Sequence, residues 1–135
     1  MNKISLVIQC DIAHNRCSGY LCNDAFYNGE GMFTDESKNT RYMSFTCGGC
    51  CGKSVAAKLE HVGKRLRKDP DINKEDVTIY LASCMTTDNH HYDRCPHIDL
   101  IKGIIRKHGF ENVIEGTSIS KRAEGKRESG EYKKY

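Results

Sequence analysis

Residues 4–10 read ISLVIQC, a short β-branched apolar run that is closed by a cysteine. Three further runs of strand length follow along the chain, at residues 42–46, 77–83 and 112–115. Runs of this length, rich in β-branched and aromatic residues, are typical of buried strands. The sequence therefore predicts four strands.

Segments of helical periodicity separate these runs. Within residues 52–68, apolar residues recur every three or four positions until Asp69-Pro70 ends the pattern. Residues 96–108 predict a further helix and residues 20–27 a shorter one. Alternation of strands and helices predicts an α/β fold of three layers, flavodoxin-like or Rossmann-like, with a four-stranded parallel sheet in the order 2-1-3-4.

The length of 135 residues is that of one ordinary domain, which we expect to span residues 1–119. Residues 120–135 are charged and nearly free of apolar side chains, and they predict a solvated, poorly ordered tail. The formal net charge is only +3, and no nucleic-acid motif accompanies the basic tail. We therefore expect no specific nucleic-acid partner.

The apolar runs are all much shorter than the roughly 18 residues that a membrane span requires. The first run is also too short for the core of a signal peptide. We expect a cytoplasmic protein without a membrane partner, in which the thiols stay reduced.

Eight cysteines are the most unusual feature of the composition. Cys10, Cys47 and Cys84 each follow a predicted strand, and the carboxyl ends of parallel strands meet at one edge of a sheet. The loops that leave the same edge contain the other cysteines and four histidines: Cys17, Cys22, Cys50, Cys51, Cys95, His14, His90, His91 and His97. A cluster of thiols and imidazoles at this edge predicts a metal or redox site.

Cys47-Gly48-Gly49-Cys50 has the CxxC spacing, which occurs in zinc sites, iron–sulfur sites and dithiol redox sites. Our leading hypothesis is zinc binding. One alternative is an iron–sulfur electron-transfer protein that uses Cys17-x4-Cys22 together with the CxxC pair. Another is a thiol redox or thiolate-dependent enzyme, with Cys47 and Cys50 as its catalytic pair. Residues 47–54 also match the phosphate-binding pattern GxxxxGK[ST] except at the first position, where cysteine replaces glycine. No hydrophobic strand that ends in a magnesium-binding aspartate is evident, and 135 residues is short for such an enzyme, which disfavours that function.

Five short motifs occur in a fixed order: the strand that ends in Cys10, then TCGGC (46–50) with Gly52-Lys53 after it, LASC (81–84), CPH (95–97) and VIEGT (113–117). In these motifs, over residues 3–117, the chain resembles the CGGC domain family of small prokaryotic proteins. The resemblance implies a domain whose cysteines and histidines suggest zinc binding. The implied ligands are Cys10, Cys47, Cys50, Cys84, Cys95 and His97, and the second choices are Cys17, Cys22, Cys51, His14, His90 and His91.

Overall fold

The computed structural model describes residues 3–33, 40–50, 52–88 and 93–135, and within them it contains a four-stranded sheet. The strands are β1 (Lys3–Gln9), β2 (Thr40–Thr46), β3 (Val77–Leu81) and β4 (Val113–Glu115). Their order across the sheet is β2-β1-β3-β4, and every neighbouring pair is parallel. The α/β class and the strand order predicted from the sequence are confirmed.

The helices alternate with the strands. They are α1 (Tyr20–Asn28), α2 (Val55–Arg67), α3 (Ser83–Thr86), α4 (Ile98–Lys107) and α5 (Lys121–Glu128). The short helix α3 is absent from the sequence prediction, and β3 ends at Leu81 because α3 begins at Ser83. None of the helices in the described part of the chain is long and apolar enough to cross a membrane.

Side chains of the central strand β1 alternate between the two faces of the sheet. Ile4, Leu6 and Ile8 belong to the larger core cluster, which also contains buried residues of α2 and α4. Val7 belongs to a smaller cluster, together with Ala25 of α1. Because successive side chains of a strand point to opposite faces, α2 and α4 cover one face and α1 covers the other. This is the expected three-layer arrangement.

Helix α5 lies in the segment for which the sequence predicts a poorly ordered tail. None of its residues is buried, so apolar periodicity does not define it. The side chain of Ser120 accepts a hydrogen bond from the backbone N–H of Ala123 and caps the first turn. Lys126 and Arg127 in the last turn complement the helix dipole. Polar capping and charge placement therefore account for α5, whose sequence has no apolar periodicity.

Glu115, at the end of β4, accepts hydrogen bonds from Arg94 and Lys102. These bonds, that from Arg94 above all, lower the pKa of Glu115 to about 2. A carboxyl group with a lowered pKa stabilises the folded state above its unfolded pKa, and the contribution is lost as the pH falls toward the folded value. Because Glu115 is partly exposed, we expect Glu115→Gln to lower the free energy of unfolding by only about 1 kcal/mol at neutral pH. The difference in unfolding free energy between the variant and the native protein should disappear as the pH falls from 4.5, the ordinary pKa of a glutamate, to about 2, the pKa of Glu115 in the folded protein.

Urea unfolding of both proteins at a series of pH values measures this difference. Glu60→Gln is the matched control, because Glu60 pairs with Lys64 one helical turn away and both side chains are largely exposed. The stabilising role of Glu115 is wrong if Glu115→Gln lowers the free energy of unfolding no more than Glu60→Gln does. It is also wrong if the loss of stability in Glu115→Gln is independent of pH.

Candidate functional site

The strands β1, β2 and β3 end at the same edge of the sheet. Gln9 of β1 pairs with Thr46 of β2, and the backbone N–H of the next residue, Cys47, donates to the carbonyl oxygen of Gln9 at 2.9 Å. On the other side of β1, the N–H of Ala82 donates to the carbonyl oxygen of Ile8 at 2.9 Å. The backbone therefore places three cysteines along this edge: Cys10, Cys47 and Cys84.

Around this edge the described cysteines fall into two groups. Four lie on the α2 side of the sheet and are called the α2-face thiols: Cys10, Cys47, Cys50 and Cys95. Three lie on the α1 side and are called the α1-face thiols: Cys17, Cys22 and Cys84. All seven are free thiols.

Among the α2-face thiols, Cys47 is buried in the larger core cluster, and Cys10 and Cys95 pack against that cluster. Cys50, at the other end of the CxxC motif, is exposed. Burial raises the pKa of the Cys95 thiol, and the nearby Cys47, Cys10 and Cys50 raise it further because adjacent thiolates repel each other. These four thiols are thus electrostatic neighbours, although they come from three separate segments of the chain.

The loop between Cys47 and α2 depends on its first glycine. The N–H of Ser54 donates to the carbonyl oxygen of Cys47 at 2.9 Å, which folds the loop back on itself. Gly48 has a φ of +75°, and a Cβ at this position would lie 1.9 Å from the Ser54 hydroxyl oxygen. A larger residue would combine a clash with an unfavourable backbone conformation. The Cys-Gly-Gly-Cys sequence therefore permits a tight turn that carries a buried thiol at one end and an exposed thiol at the other.

Two of the α1-face thiols, those of Cys22 and Cys84, are partly buried and at hydrogen-bond distance from other residues. The Cys22 thiol and the Thr117 hydroxyl are 3.2 Å apart, at hydrogen-bond distance, and burial raises the pKa of Cys22. Cys84 accepts a hydrogen bond from the backbone N–H of Cys10, with a nitrogen–sulfur distance of 3.5 Å. Burial raises the pKa of Cys84 to about 12. Both side chains are therefore neutral thiols near pH 7 in the absence of a bound metal.

The histidines of the sequence prediction are dispersed. His97 lies beside Cys95, where its backbone N–H donates to the sulfur at 3.4 Å. His14 is on the α1 side, and burial lowers its pKa, so the neutral imidazole is favoured. Three second-choice residues lie outside the described residues: Cys51, His90 and His91.

Metal coordination requires closer convergence than these groups show. Within residues 3–33, 40–50, 52–88 and 93–135, no three Cys, His, Asp or Glu side chains are gathered closely enough to hold a metal ion. The structure thus places the described cysteines at one edge of the sheet and divides them between two faces. Thr117 belongs to the VIEGT motif of the sequence analysis, but its contact with Cys22 was not predicted, because the two residues are 95 positions apart in the chain.

Comparison with known families identifies the domain that carries these cysteines. The family model of the CGGC domain matches residues 3–118, which include all the described cysteines. The chain belongs to the CGGC domain family. No curated protein and no solved structure matches it. Membership in the CGGC domain family identifies a cysteine-rich domain of a kind associated with metal binding.

Proposed function

We propose that this CGGC domain binds a zinc ion through the α2-face thiols Cys10, Cys47, Cys50 and Cys95. One observation carries the proposal: Cys47 is buried in the larger core cluster, and Cys10 and Cys95 pack against that same cluster. With Cys50, which acts on the pKa of Cys95, four sulfur donors from three chain segments therefore lie on one side of the sheet edge where α/β folds bind ligands.

The donor set suits zinc, because four thiolates form the tetrahedral, sulfur-rich environment that structural zinc sites use. The described side chains do not yet form a closed group, so binding must bring the thiols closer together. Cys50 is the donor best placed to move, since it is exposed and follows Gly48 and Gly49, both with positive φ. The buried Cys47 and the partly buried Cys10 and Cys95 then provide the fixed side of the site.

Cys84 and His97 are also implied by the family resemblance, and they are not part of the proposed set. Cys84 packs against the smaller core cluster, on the α1 face. The contact that the structure gives between His97 and the α2-face thiols runs through the backbone N–H of His97. When bound, zinc would cross-link the three chain segments at the sheet edge.

Elemental analysis of protein purified under reducing, oxygen-free conditions tests the proposal. We expect about one zinc per chain, and a free-thiol count that rises by about four when a chelator removes the metal. Zinc affinity should increase with pH, because the raised pKa of Cys95 means that a proton must leave before the sulfur can coordinate. A colourless protein that contains no metal, and that takes up none from added zinc, would contradict the proposal.

A second candidate, dithiol chemistry, is supported by the contrast within the CxxC pair. Cys50 is exposed and can meet a small disulfide, whereas Cys47 is buried and free to resolve the mixed disulfide. In this reaction two protein thiols become one disulfide, and the small disulfide is reduced to two thiols. A metal-free protein with a reversible Cys47–Cys50 disulfide would favour this function over zinc binding.

The iron–sulfur alternative has less geometric support. Its four ligands would come from Cys17 and Cys22 on the α1 face and from Cys47 and Cys50 on the α2 face. A single cluster would have to span the edge of the sheet between them. If the oxygen-free preparation contains iron and sulfide instead of zinc, the iron–sulfur function is favoured over zinc binding.

A further inference from the structure

A cavity of about 520 Å³ opens on the α1 side of the sheet edge. Its inner wall carries four sulfur atoms, from Cys17, Cys22, Cys84 and Met32. Cavities of 300–1,000 Å³ are the usual size of small-molecule sites. The zinc proposal does not use this cavity, because the proposed ligands lie on the α2 face.

The outer wall of the cavity is formed by α5 and the C-terminal residue Tyr135. Arg127 of α5 donates to the carbonyl oxygen of Asp88 at 3.2 Å, and the backbone N–H of Lys133 donates to the carboxylate of Asp88 at 2.8 Å. The hydroxyl of Tyr135 donates to Asp93 at 2.6 Å. The C-terminal segment is thus attached to Asp88 and Asp93, and it closes one side of a space that the domain alone would leave open.

The lining is largely apolar, and its charges are already compensated. Leu21, Met32 and Ile119 line the cavity, although each has more than a third of its surface exposed. Among the charged side chains of the lining, Glu115 pairs with Arg94, and Arg127 pairs with Glu124. A charged ligand would find no unpaired opposite charge among these four side chains, whereas an apolar ligand would remove exposed hydrocarbon from water.

One polar group of the wall lacks a partner. The Nε of Arg127 is buried and has no hydrogen-bond partner among the described residues. A buried donor without an acceptor costs free energy, and an acceptor on a bound molecule would relieve that cost after a small shift of the side chain.

We propose that this cavity is a binding site for a small, uncharged and mainly apolar molecule that carries one hydrogen-bond acceptor. The inner wall with its thiols lies within the residues that match the CGGC domain, whereas most of the outer wall lies beyond residue 118, where the family match ends. Helix α5 is therefore the element of this chain that sets the size and shape of the ligand.

The test uses the full-length protein and 6-propionyl-2-(dimethylamino)naphthalene, an uncharged fluorophore with one carbonyl acceptor. Its emission shifts to the blue in an apolar site, so a titration yields a dissociation constant. Anionic 1-anilinonaphthalene-8-sulfonate, also a naphthalene fluorophore, reports the effect of charge. We expect saturable binding of one uncharged probe per chain, and binding of the anionic probe that is weaker by roughly tenfold or more.

Two variants of the same helix locate the site. Ala123→Trp fills the cavity from α5 and should weaken binding of the uncharged probe by roughly tenfold or more. Gly125→Trp is the matched control, because a Cβ at Gly125 meets no atom within 4 Å and the residue does not line the cavity. If Ala123→Trp does not fold by circular dichroism, Ile119→Trp fills the cavity from the segment before α5 and replaces it.

The proposal is overturned if the uncharged probe shows no saturable binding, or if the anionic probe binds as tightly. It is also overturned if the cavity-filling variant binds the probe as well as Gly125→Trp does. The proposal is supported if Ala123→Trp loses binding of the uncharged probe and Gly125→Trp keeps it.

Discussion

Cys47→Ser is expected to reduce the zinc content of the purified protein from about one ion per chain to nearly none. Cys47 is the buried member of the CxxC pair and one of the three thiols that contact the larger core cluster. Serine is similar in size, but its hydroxyl does not deprotonate near neutral pH and is a poor ligand for zinc. The three remaining thiols would leave an open and weaker site. Elemental analysis after dialysis measures the change.

Cys22→Ser is the control for this experiment. Cys22 is also partly buried, but it lies on the α1 face, and a serine hydroxyl can keep the contact with Thr117. We expect its zinc content to equal that of the native protein, and circular dichroism should show both variants folded. Equal loss of zinc in Cys22→Ser, or full retention in Cys47→Ser, would refute the assignment of the α2-face thiols.

Leu59→Ala is expected to lower the free energy of unfolding by roughly 2–5 kcal/mol. Leu59 is fully buried on α2, in the core cluster that also contains Ile8 of the central strand. Removing its side chain takes apolar contacts away and leaves a cavity that the surrounding strands and helices cannot fully close. Since whole domains are stable by only about 5–15 kcal/mol, this single change should shift the urea midpoint clearly.

Leu100→Ala provides the matched comparison, because it makes the same substitution on another helix, α4. Leu100 is 51% exposed, so its truncation should change stability by less than about 1 kcal/mol. The assignment of Leu59 to the packed core between α2 and the sheet is wrong if the two variants unfold at the same urea concentration.

The sheet could be predicted from the sequence because its signal is local and repeated. β1 is apolar from Ile4 to Ile8 except at Ser5, and this composition is typical of a strand buried on both faces. β3 has the same character, and helical periodicity lies between the strands. Chain connectivity then leaves few arrangements for a parallel sheet, so the order β2-β1-β3-β4 followed.

The division of the thiols between two faces could not be predicted in this way. The direction of a side chain just beyond a strand depends on the turn that follows, and α3 begins immediately after β3. This helix places Cys84 against the smaller cluster, whereas Cys10 and Cys47 contact the larger one. The contact of the C-terminal segment with the cavity could not be predicted either. The hydrogen bonds that attach this segment join residues that are about 40 positions apart in the chain.

Cys10 gives the two faces a common residue. Its side chain packs on the α2 face, while its backbone N–H bonds to the sulfur of Cys84 on the α1 face. Cys84 also lines the α1-side cavity. A shift of the Cys10 backbone would therefore change a hydrogen bond to a residue of the cavity wall.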